Sequence, residues 1–243
     1  MAGPWLGAVD SESGSRTLKR EVIGLSRLPN DLPIFRAPEY DAVRAALGDC
    51  RGLRVLDAGC GDCELSEVAN DAALVFAMDL KPPLPTVRRG NGVTRVVCGD
   101  VTNMPFPENS FDVAICTSVI SHLHSVGQRA ALLGELSRVL RPEGKLIITT
   151  MHFNFRFQNK GTPKEGHEHG IFYRKYYPDE FRSELGAYFE VASLWGLWNY
   201  LPKTYRVYVA LGKHVLPWER FFRTKKSSLK YGKFLLAICS NRF

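Results

Sequence analysis

The sequence predicts an α/β fold in which a mostly parallel β-sheet carries helices on both faces. Between residues 54 and 151, short apolar runs alternate with segments whose apolar residues recur at helical spacing. Such an alternation produces right-handed βαβ crossovers. The composition is consistent with such a fold, because 45% hydrophobic and 23% charged residues are typical of a globular chain. At 243 residues the chain is long enough for one large domain.

Apolar runs predict the strands in order along the chain. Five of them, which we expect to be parallel, cover residues 54–59, 74–79, 93–100, 111–117 and 145–151. Two later runs, at 189–197 and 233–240, predict further strands. Helical spacing predicts helices at 39–47 and 130–140, and a third helix that begins at 65–70. Proline and glycine within 141–144 end the second of these helices, because proline cannot continue it.

The pattern also predicts how the chain is organised. We expect residues 1–40 to form an N-terminal arm or lid and residues 41–243 to form one domain. Segments at about 152–177 and 198–232 are irregular and rich in aromatic, polar or basic residues, so we expect lids over the edge of the sheet. No apolar leader or bilayer-length apolar stretch is seen, so we expect a cytoplasmic location.

Glycines and acids follow the predicted strands, where ligands bind in open parallel sheets. Gly59 and Gly61 come directly after the first strand, where a missing Cβ lets the backbone turn sharply and approach a ligand. Asp79 ends the second strand 22 residues after Asp57, an offset typical of an acid that binds ribose hydroxyls. Asp100 ends the third strand and suits an exocyclic amine, because a carboxylate only accepts hydrogen bonds.

The same glycine turn contains a C-x-x-C pair, Cys60 and Cys63. This spacing also occurs in redox and zinc sites. No second pair follows at zinc spacing, so we interpret the segment as a ligand-binding glycine loop that holds two thiols. We therefore expect no metal site here.

Four motifs, taken in order, resemble those of the class I S-adenosylmethionine (SAM)-dependent methyltransferases, in the type 11 group. They are V-L-D-A-G-C-G from Val55, A-M-D from Ala77, G-D-V-T-N-M-P-F-P-E-N-S-F-D-V-A-I from Gly99 and R-V-L-R-P-E-G-K-L-I-I from Arg138. The resemblance implies a Rossmann-like seven-stranded sheet whose last strand is antiparallel. One departure is Cys63, which stands where the family often has a third glycine.

The resemblance also implies SAM as the cofactor and a role for each matching residue. Gly59, Gly61 and Thr117 would lie beside its methionine part, Asp79 with Leu80 at the ribose, and Asp100 with Val101 at the adenine. Asp57 would orient the glycine loop. Because the sulfonium already activates the methyl group, positioning supplies most of the catalysis and a base matters only for some acceptors.

Histidines supply the candidate bases, since their pKa lies near neutrality. His122 follows the fourth strand, close to the expected methyl position, and His152 follows the fifth strand. For each, a packing role is the alternative. His167 and His169 are also spaced like metal ligands, but no third ligand is evident.

The acceptor remains open between three hypotheses. Aromatic residues crowd both lids, which favours a small organic acceptor methylated on oxygen or nitrogen, for instance in secondary metabolism. The segment from Ser118 to Arg129 resembles wobble-uridine tRNA methyltransferases, which favours tRNA. Ten Lys or Arg and one acid between residues 203 and 242 favour an anionic partner, either tRNA or a membrane surface. The third hypothesis is a methyltransferase that acts on a lipid-linked substrate at a membrane surface, where the basic and aromatic segment 216–223 would lie in the interface. The sequence does not determine the oligomeric state.

Overall fold

The computed structural model describes residues 37–63, 65–69, 71–82, 93–200 and 203–242. Most of the predicted N-terminal arm, residues 1–36, lies outside the described residues. The strands within the described ranges are β1 (Arg54–Ala58), β2 (Leu74–Asp79), β3 (Val93–Cys98), β4 (Phe111–Thr117), β5 (Leu140–His152), β6 (Glu165–Glu168), β7 (Ile171–Tyr176), β8 (Phe189–Leu197) and β9 (Phe234–Asn241).

Seven of these strands form the main sheet in the order β3-β2-β1-β4-β5-β9-β8. Strands β1 to β5 are parallel, whereas β9 is antiparallel to both of its neighbours, β5 and β8. The predicted fold class, a mostly parallel sheet with an antiparallel last strand, is therefore confirmed. The hairpin of β6 and β7 was not predicted, and it lies within the first expected lid. It joins the sheet through a short parallel pairing of β7 with the end of β5.

The α-helices of the described ranges are α1 (Ala37–Leu47), α2 (Val126–Val139), α3 (Phe155–Asn159), α4 (Pro178–Gly186), α5 (Tyr205–Leu211), α6 (Leu216–Phe222) and α7 (Ser228–Tyr231). Short 3-10 helices lie at Leu65–Ala69, Ile120–His122 and Gly212–Val215. None of the helices in these ranges has the length and apolar character needed to cross a membrane.

Two helices differ from their predictions for local reasons. Helix α2 begins at Val126, four residues before the predicted start, because Ser125 caps it. The Ser125 hydroxyl accepts from the Gln128 N–H, and the Gln128 side chain accepts from the Ser125 N–H. The helix predicted to begin at 65–70 is a 3-10 helix, because the chain must reach β2 at Leu74.

Strand β5 begins before its predicted start at residue 145. The predicted turn at 141–144 is a bulge inside the strand, where the pairing register with β4 shifts. Glu143 has a φ of 61° there, and a Cβ on Gly144 would lie 2.7 Å from the Arg141 carbonyl oxygen. The tight bulge therefore needs its glycine.

The core lies on both faces of the sheet, as the alternation of side chains along β1 shows. Leu56 packs on the face covered by α2 and α4, whereas Val55 packs with α1 on the other face. Full burial of one such aliphatic side chain stabilises the fold by roughly 1.5–3 kcal/mol. An ion pair at 2.9 Å between Arg129 on α2 and Glu184 on α4 joins the two helices of the first face.

Candidate active site

The carboxyl ends of the parallel strands open into a cleft of about 720 Å³. Seven of the eight predicted cofactor residues line it, namely Gly59, Gly61, Asp79, Leu80, Asp100, Val101 and Thr117. The other residues of its wall are Glu39, Cys60, Asp62, Leu65, Thr102, Ser118, Val119, His122, Leu123, Gln128, Met151, Trp198, Lys233 and Phe234. Topology explains this convergence, because parallel strands bring all their carboxyl ends to the same rim.

The loop after β1 requires glycine at its first position. The backbone of Gly59 has a φ of 77°, and its N–H donates to the Met78 carbonyl at 2.7 Å. A Cβ at this position would lie 2.2 Å from Cγ2 of Val119. Gly61 also has a positive φ, 53°, but space around it is open. The loop therefore presents bare backbone to the cleft.

Asp79 holds this loop against the end of β2. Its Oδ2 accepts the Gly61 N–H at 3.0 Å, and its Oδ1 accepts the Lys81 N–H at 3.1 Å. Each carboxylate oxygen has a second lone pair, so the group retains capacity to accept hydroxyl hydrogen bonds. The carboxylate can thus hold the loop and accept hydrogen bonds from a ribose at the same time.

Asp100 lies at the same rim, in the turn after β3. Its Oδ1 accepts both the backbone N–H and the hydroxyl of Thr102, each at 2.8 Å. These contacts fix the turn and keep the exposed carboxylate at the cleft, beside Val101.

Asp57 is placed differently from the other predicted cofactor residues. It is buried within β1, and its Oδ2 accepts the Ser66 hydroxyl at 2.6 Å. It does not line the cleft. The carboxylate instead ties β1 to the 3-10 helix that follows the glycine loop, which is compatible with orienting that loop.

The two thiols of the loop face each other, with 3.1 Å between the Sγ atoms of Cys60 and Cys63. Their hydrogen bond, together with burial, raises the pKa of Cys60, and the same hydrogen bond lowers the pKa of Cys63. Cys63 has a φ of 57°, a left-handed conformation that favours glycine. This backbone explains why a glycine is common at that position in the resembled family. Among the described residues, no cluster of three or more His, Cys, Asp or Glu could hold a metal ion.

His122 lies in the cleft with a defined tautomer. Its Nδ1 is 2.7 Å from the Phe172 carbonyl oxygen, which can only accept, so Nδ1 carries a proton. In the neutral ring, Nε2 is therefore the unprotonated nitrogen. The contact comes from β7, so the unpredicted hairpin orients this histidine.

His152 is buried, with 1% of its surface exposed, and is not part of the cleft wall. Its Nδ1 donates to the Gly232 carbonyl at 2.8 Å, and Asn154 donates to the same oxygen at 2.7 Å. Burial lowers the pKa of His152 to about 4, so its imidazole is neutral near pH 7. This geometry ties the end of β5 to the segment that leads into β9.

Trp198, one of the aromatic residues expected in the lids, forms a wall of the cleft with Lys233 and Phe234, which were not predicted there. The Lys233 ammonium lies 5.1 Å from the Trp198 ring centroid and 5.7 Å from that of Phe234. Burial lowers the pKa of Lys233. Because this wall combines a cation with aromatic surface, it suits an electron-rich or anionic planar group.

Most other aromatic residues of the lids do not line the cleft. Tyr176 is fully buried in the core, and Tyr208 donates to the buried Glu219. Phe172 stacks on His124 with 4.1 Å between centroids, and His167 lies beside them. His167, one of the two histidines considered as metal ligands, thus lies within the hairpin and contacts the Phe172 ring.

Residues 56–148 match a family described as methyltransferase domain. Two curated relatives are a probable tRNA methyltransferase 9B of Mus musculus, 33% identical, and a ubiquinone biosynthesis O-methyltransferase of Xanthomonas oryzae pv. oryzae, 36% identical. These matches cover 49% and 46% of this chain, and 27% and 48% of the respective relatives. The chain thus spans less than half the length of these relatives.

The fold also matches solved structures. One is the 1,6-didemethyltoxoflavin-N1-methyltransferase of Burkholderia thailandensis, with 1,6-didemethyltoxoflavin and S-adenosylhomocysteine bound. It is 19% identical with a TM-score of 0.61, and the match covers 99% of this chain and 94% of that one. A likeness at this identity concerns the fold alone.

Proposed function

We propose that this chain is a class I SAM-dependent methyltransferase of the type 11 group, and the methyltransferase domain matched over residues 56–148 supports this proposal. The proposed activity is transfer of a methyl group from SAM to an oxygen or nitrogen of a small organic acceptor. One observation carries this proposal. A glycine loop, the carboxylates of Asp79 and Asp100, His122 and the wall of Trp198, Lys233 and Phe234 all line the same cleft.

The residues present fit SAM. Gly61 lines the cleft with no side chain and with open space around it, which leaves room for close approach of the amino-acid part. Asp79 would accept the ribose hydroxyls, Asp100 and Val101 would contact the adenine, and Thr117 would lie near the methionine part. Leu80 adds apolar surface beside the ribose, and Asp57 keeps the loop in place through Ser66. When bound, SAM supplies a methyl group already activated by its sulfonium.

The chain's own contribution is to position the acceptor and, where needed, to remove its proton. His122 is the proposed base, because its Nε2 is the unprotonated nitrogen and its ring lines the cleft. Lys233, held between Trp198 and Phe234, would orient an electron-rich acceptor against the same wall. For His152 we propose a packing role, since it is buried behind the cleft.

The size of the cleft supports a small acceptor. Sites for small molecules and cofactors commonly enclose about 300–1,000 Å³, and this cleft has about 720 Å³. The curated relatives include O-methyltransferases and a probable tRNA methyltransferase, so tRNA is the second candidate. The basic residues between 203 and 242 support that candidate, because phosphates bind such surfaces.

A transfer assay with methyl-labelled SAM tests the proposal. The protein would be incubated with a panel of phenols, amines and carboxylic acids, and separately with total tRNA. We expect label in a small acceptor, and a decrease of about 10²-fold or more in turnover for His122→Gln if a proton must be removed. The matched control is His214→Gln, an exposed histidine outside the cleft wall. Label in tRNA alone would contradict the small-molecule proposal.

A further inference from the structure

Helices α5 and α6 present apolar side chains to solvent. Val207 and Leu211, one turn apart on α5, are 60% and 49% exposed. Trp218 and Phe221, one turn apart on α6, are 47% and 61% exposed. Aliphatic and aromatic residues exposed this far within one short segment commonly mark a binding surface.

The buried sides of the two helices face each other, which directs these residues outward. The Tyr208 hydroxyl of α5 donates to Glu219 of α6, and Glu219 also accepts the Asn199 N–H at 2.5 Å. Trp218 is oriented as well, because its Nε1 donates to the Asn199 carbonyl at 2.8 Å. Its ring therefore has a fixed polar edge and an exposed apolar face.

The same segment presents positive charge without exposed negative charge. Glu219 is the only acid between residues 203 and 242, and it is 1% exposed. Arg220 and Arg223 pair with Asp41 of α1 at 2.6 and 2.8 Å, so these two arginines anchor α6 to the body of the domain.

Lys225 and Lys226 directly follow α6 and are exposed. The Lys225 ammonium lies 5.1 Å from the Phe221 ring centroid, so charge and apolar surface are adjacent. We call the set of Val207, Leu211, Trp218, Phe221, Lys225 and Lys226 the α5–α6 surface.

From this arrangement we infer that the α5–α6 surface docks on the headgroup region of an anionic membrane. Charge complementarity favours an anionic partner, and the aliphatic Val207 and Leu211 favour lipid over nucleic acid. Bases stack on aromatic rings but gain little from exposed aliphatic side chains. The docking is separate from methyl transfer.

Vesicle sedimentation tests this inference, with protein alone and without cofactor or acceptor. Vesicles of phosphatidylcholine with phosphatidylserine should bind the protein, and salt should weaken the binding. Vesicles of phosphatidylcholine alone should bind it far less. Because the readout involves no turnover, its failure would leave the proposed methyl transfer unaffected.

Two double variants separate the apolar and charged contributions. Lys225→Glu with Lys226→Glu should weaken binding to the anionic vesicles at least about 25-fold. Leu211→Gln with Phe221→Gln should weaken it on the order of tenfold or more. The control Val126→Gln removes an exposed apolar residue of α2, outside the surface, and should leave binding unchanged. Unfolding curves would confirm that each variant folds.

Loss of vesicle binding in both double variants would support the inference. Wild-type protein that stays in solution with anionic vesicles would overturn it. So would vesicle binding that survives the apolar double variant. A third outcome would assign the surface to nucleic acid instead. In it the protein binds total tRNA but no vesicles, and tRNA binding depends on the two lysines but not on Leu211 and Phe221.

Discussion

Replacing Asp79 by asparagine tests the assignment of the cofactor site most directly. The substitution keeps the size of the side chain but removes its charge, and one oxygen that accepts becomes an amide that only donates. In the structure both oxygens already accept a backbone N–H, from Gly61 and from Lys81. Because the NH2 group cannot accept, asparagine must give up one of these two contacts, and on that side it can no longer accept a ribose hydroxyl.

The expected magnitude follows from the type of bond that is lost. A hydrogen bond to a charged group contributes about 1.5–3 kcal/mol. If one such bond to the ribose is lost, affinity for SAM or S-adenosylhomocysteine should decrease about 10- to 150-fold. Asp79→Ala should decrease it at least as much, and should also lower the free energy of unfolding by about 1 kcal/mol because the Gly61 N–H loses its acceptor.

Isothermal titration with S-adenosylhomocysteine would measure the affinities, and urea unfolding would measure the stabilities. Glu190→Gln, which neutralises an exposed acid on β8 away from the cleft, is the control and should bind like the wild type. Unchanged affinity in a folded Asp79→Asn protein would refute the ribose assignment. If the affinity of the Glu190→Gln variant decreased equally, the effect would be due to the change in net charge.

Three further predictions concern stability and the loop. Gly59→Ala should abolish S-adenosylhomocysteine binding, because the added Cβ would overlap Val119 and distort the loop. It should also destabilise the fold more than Gly48→Ala, since Gly48 shares a positive φ but has open space around it. Titration measures the binding and unfolding curves measure the stability. Glu184→Ala should lower the free energy of unfolding by about 2–4 kcal/mol, because it leaves the buried Arg129 without its carboxylate. If a double variant that removes the charges of both Glu184 and Arg129 loses as much stability, the unpaired charge is not the cause. His152 has a folded pKa of about 4, below its unfolded value of 6.5. Its contribution to stability is therefore fully present above pH 6.5 and should be lost, by about 3 kcal/mol, as the pH falls towards 4. Urea unfolding across that range should show this loss in the wild type relative to His152→Gln, and parallel pH profiles would contradict it.

Local patterns predicted which strand ends and which of their residues line the cleft. Strands β1 to β4 are short apolar runs whose bounds are visible in the sequence, and the residues that follow them enter the cleft because parallel strands share a rim. Asp79 and Asp100 were placed there for that reason. The glycine loop also followed from its position between a strand and a helical segment.

The remaining wall of the cleft could not be predicted in the same way. The cleft also contains Trp198, Lys233 and Glu39, which come from segments far apart in the sequence. No periodicity within one element of the sequence indicates that these three residues meet. Both candidate bases followed strand ends, but only His122 lines the cleft, while His152 is buried. The difference arises from the β6–β7 hairpin and from the Gly232 carbonyl, which are tertiary features.

The position of β9 has a consequence for folding. Among the strands of the described ranges, β8 pairs with β9 alone, and β9 also covers the outer edge of β5. During synthesis, the earlier strands can therefore associate first, while the edge of β5 stays exposed until residues 234–241 emerge. Such a late, non-local pairing slows folding and leaves an edge open to other chains. We expect nascent protein at this stage to depend on chaperones more than its final packing would suggest.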